Sequence, residues 1–165
     1  MSFVHLQVIS AYSLLQTTTR IEDLVRSAKA KGYQAIALTD QSVLYGQVDF
    51  FKLCKKYAIQ PILGIQLDLP GVISKDRTFP LVLLAKDFEG YKKLMALSTV
   101  RNQDASDREL LSLLEDDSSR IIAITPGEKG EIESFLNGND QENAKAASLA
   151  WKKIFTHGNF YLGVQ

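Results

Sequence analysis

Asp40 is the residue in this chain best placed to do chemistry. It follows Ala35-Ile36-Ala37-Leu38-Thr39, an apolar run of strand length, and the carboxyl ends of strands are where α/β proteins gather groups for metals and substrates. The same position also suits a structural role, because a carboxylate at a strand end beside Thr39 commonly accepts backbone hydrogen bonds in the following loop. Two histidines, His5 and His157, are present. In a regular strand His5 shares a face with positions 7 and 9, but one imidazole does not make a metal site, and it reads as a satisfied histidine. His157, beside Gly158 after a helical stretch, reads as a helix C-terminal residue favoured by the dipole. Cys54 has no identifiable base and reads as an inert thiol. Asp116-Asp117 resembles a paired-carboxylate signal, yet Ser118 and Ser119 beside it predict a surface turn. Lys52, Lys55 and Lys56 form a small basic face that reads as solvated. The chain has no Walker A loop, no Gly-x-Gly-x-x-Gly and no Gly-x-Ser-x-Gly.

The elements that must position these groups alternate. Phe3–Ile9 is a strand candidate, and Thr19 with Glu22 has capping-box spacing before a helix carrying Ile21, Leu24, Val25 and Ala28, which Gly32 ends. A strand over 34–38, a helix from 46 or 47 to 57 and a strand after Pro61 make one strand–helix–strand unit, which calls for a parallel pair. Pro70-Gly71 and the polar 74–77 segment form a surface loop. Phe79–Ala85 is a strand with Pro80 at its beginning or on an edge. Asp87 caps a helix with Tyr91, Leu94, Met95 and Leu97, and Ser106 with Glu109 starts another. Strand 120–125, helices 131–136 and 141–155 around the Asn137-Gly138-Asn139 breaker, and strand 160–164 complete six strand candidates. The pattern fits a (β/α) barrel or an open doubly wound sheet.

Composition bounds the function. A chain of 165 residues with 45% apolar composition can bury one core as one domain. The 19 basic residues balance the 19 acidic ones, so the summed charge gives no long-range attraction for nucleic acid or an anionic membrane. One cysteine excludes an internal disulfide and a cysteine-rich zinc site. The opening residues lack a signal-peptide pattern, and no stretch is long and apolar enough for a membrane span, so the expected location is cytoplasmic.

Phe3-Val4-His5-Leu6-Gln7-Val8-Ile9-Ser10-Ala11-Tyr12-Ser13-Leu14-Leu15 resembles the opening of the PHP (polymerase and histidinol phosphatase) domain at the N-terminus of bacterial DNA polymerase III α subunits. Ala37-Leu38-Thr39-Asp40, Leu44-Tyr45-Gly46, Phe50-Phe51, Gln60-Pro61-Ile62-Leu63-Gly64, Leu83-Leu84-Ala85-Lys86 and Phe160-Tyr161-Leu162 continue the resemblance in register. It implies a distorted (β/α) barrel of PHP type, with residues 1–165 as the N-terminal part of a longer polymerase and the final barrel strands beyond Gln165. The spacing resembles the short DnaE-type subunit. It also implies where metal ligands stand in intact members. Those positions here are Gln7, Ile9, Gln16, Asp40, Gln41 and Gln66, and only Asp40 keeps a ligand-type side chain.

What the resemblance implies is therefore a vestigial metal site with no catalytic residue and no cofactor in this segment. The complete protein would perform template-directed DNA synthesis with magnesium held in a distant palm domain. The expected partners are the remainder of the polymerase chain and, through it, DNA and replisome proteins, with no membrane. The alternatives are a metal-dependent phosphoesterase or 3'-5' proofreading exonuclease, and a stand-alone (β/α) binding module.

Overall fold

The computed structural model describes residues 3–103 and 106–164. Gln165, where the sequence reading places the break in the barrel, lies outside them. The described elements are α1 (Ile21–Ala30), β1 (Ala35–Leu38), α2 (Gln47–Lys56), β2 (Gln60–Pro70), β3 (Thr78–Ala85), α3 (Phe88–Asn102), α4 (Asp107–Asp116), β4 (Ile121–Ile124), α5 (Glu131–Asn137), α6 (Gln141–Ile154) and β5 (Phe160–Tyr161). The strands form one mixed sheet in the order β1-β2-β3-β4-β5, open among the described residues. β1 and β2 are parallel, as their intervening helix requires. β2 and β3 are antiparallel, because residues 71–77 are too few for a crossover and fold back as a hairpin. β3 and β4 are also antiparallel, and β4 runs parallel to β5.

The expected six strands become five, because Phe3–Ile9 lies beside β1 without forming a regular ladder. Ala37 N donates to His5 O and Thr39 N to Val8 O, so a step of two residues from 37 to 39 faces a step of three from 5 to 8. Val8 N donates to the Thr39 hydroxyl at 3.0 Å. That side-chain bond captures the backbone donor and leaves an irregular, bulged edge.

The helices cover one face of the sheet. Ile21, Val25 and Ala28 of α1 and Phe50 and Cys54 of α2 pack on Ile36 and Leu38. Ile65, Leu67 and Leu69 of β2 and Leu81 and Leu83 of β3 pack on α3, α4 and α6, including Leu94, Leu97, Leu110, Leu114 and Trp151. On the other face Ala37, Val82 and Leu84 meet Ile62, Ile122 and Ile124. Gln47 bridges the parallel pair: its Nε2 donates to Leu38 O at 3.0 Å and Gly64 O at 2.8 Å.

The capping signals come out unevenly. Asp87 accepts from Gly90 N, and Ser106 with Glu109 closes a full capping box. Thr19 does not cap α1: Arg20 holds the cap position, and the Thr19 hydroxyl bonds to Thr17 instead. Gly32, at φ +75°, does end α1, with Gly32 N on Lys29 O and Tyr33 N on Ala28 O. Met95 faces outward, and Gly90 takes its place on the buried side of α3, where an added Cβ would sit 2.2 Å from Arg120 O. His157 is not a helix residue: α6 ends at Ile154 and His157 lies in the following turn at φ +61°.

A carboxylate that sequence reading missed fixes the far half. Glu131, 3% exposed, accepts from Val72 N, Ile73 N, Ser74 N and the Trp151 indole at 2.9–3.1 Å. Its removal strands those donors. Glu131→Ala is therefore expected to cost about 2–4 kcal/mol in urea unfolding, and a loss below about 0.5 kcal/mol would show that the 71–77 loop does not hang on this carboxylate.

Acid should act on the helix caps. The Asp87, Glu109 and Asp140 carboxyls are held below their usual range, first by the backbone N–H groups of Gly90, Ser106 and Asn143 respectively. A depressed folded value means this stability is complete above the unfolded value near pH ~4 and is lost as pH falls through the folded one. Asn caps without titrating. The double variant Asp87→Asn/Asp140→Asn should accordingly show a shallower stability loss below pH ~4, and an unchanged slope would contradict the assignment.

Candidate functional site

Strand direction decides where the site lies. β1, β2, β4 and β5 all end at one rim of the sheet, and the segment 3–9 runs past the same rim. An open pocket of about 500 Å³ lies there, lined in part by Gln7, Ile9, Gln16 and Gln66, with Pro80, Pro126, Glu128 and Lys129 across from them. Four of the six sequence-selected positions thus share one pocket, although they come from the N-terminal segment, the following loop and β2.

Gln41 joins them through hydrogen bonds. It pairs with Gln66 as an isolated parallel bridge just beyond β1, with Gln66 N on Asp40 O at 3.1 Å and Ser42 N on Gln66 O at 2.9 Å. Its side chain accepts a short hydrogen bond from Gln16 Nε2 and donates to Asp68 Oδ2 at 3.4 Å. Gln7 Nε2 donates to Gln66 Oε1 at 3.1 Å. Each amide is both donor and acceptor, so the four glutamines bind one another in two linked pairs. Ile9, half-buried, adds an aliphatic wall.

Asp40 turns away from this group. It is 1% exposed, and its carboxylate accepts from Ser10 N at 2.6 Å, Ser10 Oγ at 2.8 Å and Ser13 Oγ at 2.7 Å. Ser13 Oγ in turn accepts from Gln41 N at 3.1 Å. The bonds come from the loop preceding β1 in the chain, not from the one that follows it. Charge-assisted bonds of this kind satisfy a buried carboxylate without a cation.

Asp68 is the residue of this site that sequence reading passed over. It lies two positions after Gln66 on β2, and the period of two puts both on the same face, which is the signal that would have found it. Ser10 and Ser13 carry no comparable signal, because their role depends on how the loop folds back. Among the described residues, no group of three or more His, Cys, Asp or Glu side chains is arranged to hold a metal ion.

Of the remaining candidates, His5 also lines this pocket, while the others stand apart. His5 Nε2 lies 3.1 Å from the Tyr33 hydroxyl, and its ring meets Phe3 edge-on. Cys54 is fully buried, and burial pushes its thiol up to about 11, far from a reactive thiolate. Asp117 accepts from Ser119 N and Oγ in a tight surface turn. Lys55 and Lys56 lie over the Phe51 and Tyr57 rings.

Comparison with known proteins places this geometry in a family. The PHP domain family matches residues 5–165. The chain is 44% identical, over all of its length, to the DNA polymerase III subunit alpha of Bacillus subtilis strain 168, and 32% identical to that of Halalkalibacterium halodurans. It spans 15% of the length of each of these relatives. Among solved structures, a proposed metal-dependent phosphoesterase from Bifidobacterium adolescentis aligns with 94% of this chain and 55% of its own, at 15% identity and a TM-score of 0.44. The resemblance carried by the opening segment and by Ala37-Leu38-Thr39-Asp40 thus extends across the chain, which belongs to the PHP domain family and is similar throughout to the alpha subunits of bacterial DNA polymerase III.

Proposed function

We propose that this chain is the N-terminal, metal-free scaffold domain of a cytoplasmic replicative DNA polymerase, spanning residues 1–165 of a longer polypeptide. The observation that carries this reading is the pairing of Gln7 with Gln66 and of Gln16 with Gln41 where intact PHP domains hold metal ligands. The residues present do not fit a metal cluster. Amide oxygens are weak donors beside imidazole or carboxylate, Ile9 offers no lone pair, and the Asp40 carboxylate is already bonded by two serines. Asp68 keeps a carboxylate within reach of the amides, accepting from Gln41 Nε2.

The chemistry would then belong to the rest of the polypeptide. Template-directed DNA synthesis, with magnesium held in the palm domain, and contacts to DNA and replisome proteins are functions of the complete protein. This domain contributes a folded body against which the other parts are placed. The amides serve that role by closing a polar pocket without requiring an ion.

Equilibrium dialysis of the complete protein against zinc and manganese tests the reading. Binding attributable to this domain is expected to stay well below one ion per chain and to be unchanged by Asp68→Asn. One tightly bound ion per chain, lost on Asp68→Asn, would replace the scaffold with a metal-dependent phosphoesterase or exonuclease.

Asp40→Asn separates structure from chemistry at the other carboxylate. The amide puts N–H donors where the serines also donate, so a loss of about 1–3 kcal/mol is expected, together with faster proteolysis of residues 10–16. Primer extension per folded molecule should be unchanged. A variant that stays folded but fails to extend primers would give Asp40 a part in the reaction.

A further inference from the structure

At the rim opposite the glutamines, where β1, β2 and β4 begin, an open groove of about 330 Å³ separates α2 from α3 over the edge of β2 and β3. One wall carries Phe51 and Lys55, a turn apart on α2. The other carries Phe88 and Tyr91, a turn apart on α3, and Lys86 stands where β3 gives way to that helix.

The two phenylalanines stay in water, Phe51 at 42% and Phe88 at 69% exposure. Each carries a cation over its ring: Lys55 Nζ lies 5.4 Å from the centre of Phe51, and Lys92 Nζ 5.6 Å from that of Phe88. Asp87 is the one acid lining the groove among the described residues. Its carboxylate is already engaged, by Gly90 N at 3.0 Å and by the Arg120 guanidinium at 2.7 Å. Lys92 is paired with Glu89 at 2.6 Å. Lys55 and Lys86 have no acidic partner among the described residues, and Lys86 Nζ donates only to the Ser119 carbonyl. The groove therefore offers two exposed ring faces and two uncompensated ammonium groups side by side.

We propose that this groove binds a single-stranded polynucleotide, with bases stacked on Phe51 and Phe88 and phosphates held by Lys55 and Lys86. Every base has a flat face for an exposed ring, and every base brings a phosphate to a lysine beside that ring. The two features are needed together only by a single strand. A duplex keeps its base faces covered, and an acidic peptide would satisfy the lysines without using the rings as platforms. The balanced net charge of the chain does not oppose such a contact, because two phosphates are met by two local lysines and not by the field of the whole domain. Lys55, expected from sequence to be merely solvated, thereby acquires a role together with the ring it covers.

Photo-crosslinking of the complete protein to an oligodeoxythymidylate carrying 5-iodouracil tests this, with adducts mapped by peptide mass spectrometry. Adducts are expected on Phe51, Phe88 or Tyr91. Phe88→Leu keeps the apolar bulk and removes the ring, so the adducts at Phe51 and Tyr91 should fall at least about fivefold, the loss of one stacked base. Two phosphate contacts on a single strand give a salt slope of about −1.4, so the yield should drop roughly sevenfold when salt rises about fourfold. Lys55→Gln with Lys86→Gln should remove most of that dependence. Three outcomes overturn the proposal: no adduct on these rings, a yield unchanged by Phe88→Leu, and competition by an oligoglutamate as effective as by unlabelled strand, which would make the groove a seat for acidic peptide. Circular dichroism and the urea midpoint establish that each variant stays folded. The groove and the glutamines lie at opposite rims, so failure here leaves the scaffold reading to be decided by the dialysis.

Discussion

The Asp40 carboxylate is the constraint on which the site depends. The N-terminal segment has no regular ladder to hold it, and its register comes from Thr39 and Asp40, one through a hydroxyl and the other through a buried carboxylate. Ser10 and Ser13 are thereby fixed against the end of β1. Gln7 and Ile9 on one side and Gln16 on the other are carried to the mouth of the sheet as a consequence. A single oriented acceptor thus sets the positions of three pocket residues that no local secondary structure would place. Glu131 does the same work in the other half, gathering the 72–74 backbone and Trp151. Between the halves, Gln47 ties the carbonyls of β1 and β2, and Gly64 allows Leu84 and the Leu83 carbonyl to approach β2 closely.

The features legible in the sequence are those determined over a few residues. Asp87 and the Ser106–Glu109 box could be read because a cap and its donors lie within one turn. The β1–α2–β2 unit was legible from its period and its length. Thr19 failed as a cap because Thr17, two residues earlier, competes for the same hydroxyl. The Phe3–Ile9 strand failed for a non-local reason: its alternation is genuine, but the segment steps three residues against two beside β1, and the Thr39 hydroxyl bonds both Val8 N and Val8 O. The antiparallel turn at β3 was present in the shortness of the 71–77 loop. The Glu131 cradle was not, since its donors lie nearly sixty residues away.

The site was legible only through resemblance. Nothing in the spacing of Gln7, Gln16, Gln41 and Gln66 marks them as neighbours, and glutamine alone suggests no chemistry. Aligned with ligand positions, the same residues become a set, and the structure shows four of the six positions sharing a pocket and Gln41 bonded into it. Asp40 departs from that set, its carboxylate bound to the loop instead of aimed into the pocket.

Electrostatics explains why amides suit this arrangement. Carboxylates crowded at a strand-end mouth repel unless a cation lies among them, so such a cluster is destabilising wherever no cation is bound. Neutral amides remove the repulsion and also supply donors to one another, which carboxylates cannot do. Asp40 escapes this cost because serines, not other acids, surround it. Asp68 escapes it because Gln41 donates to it.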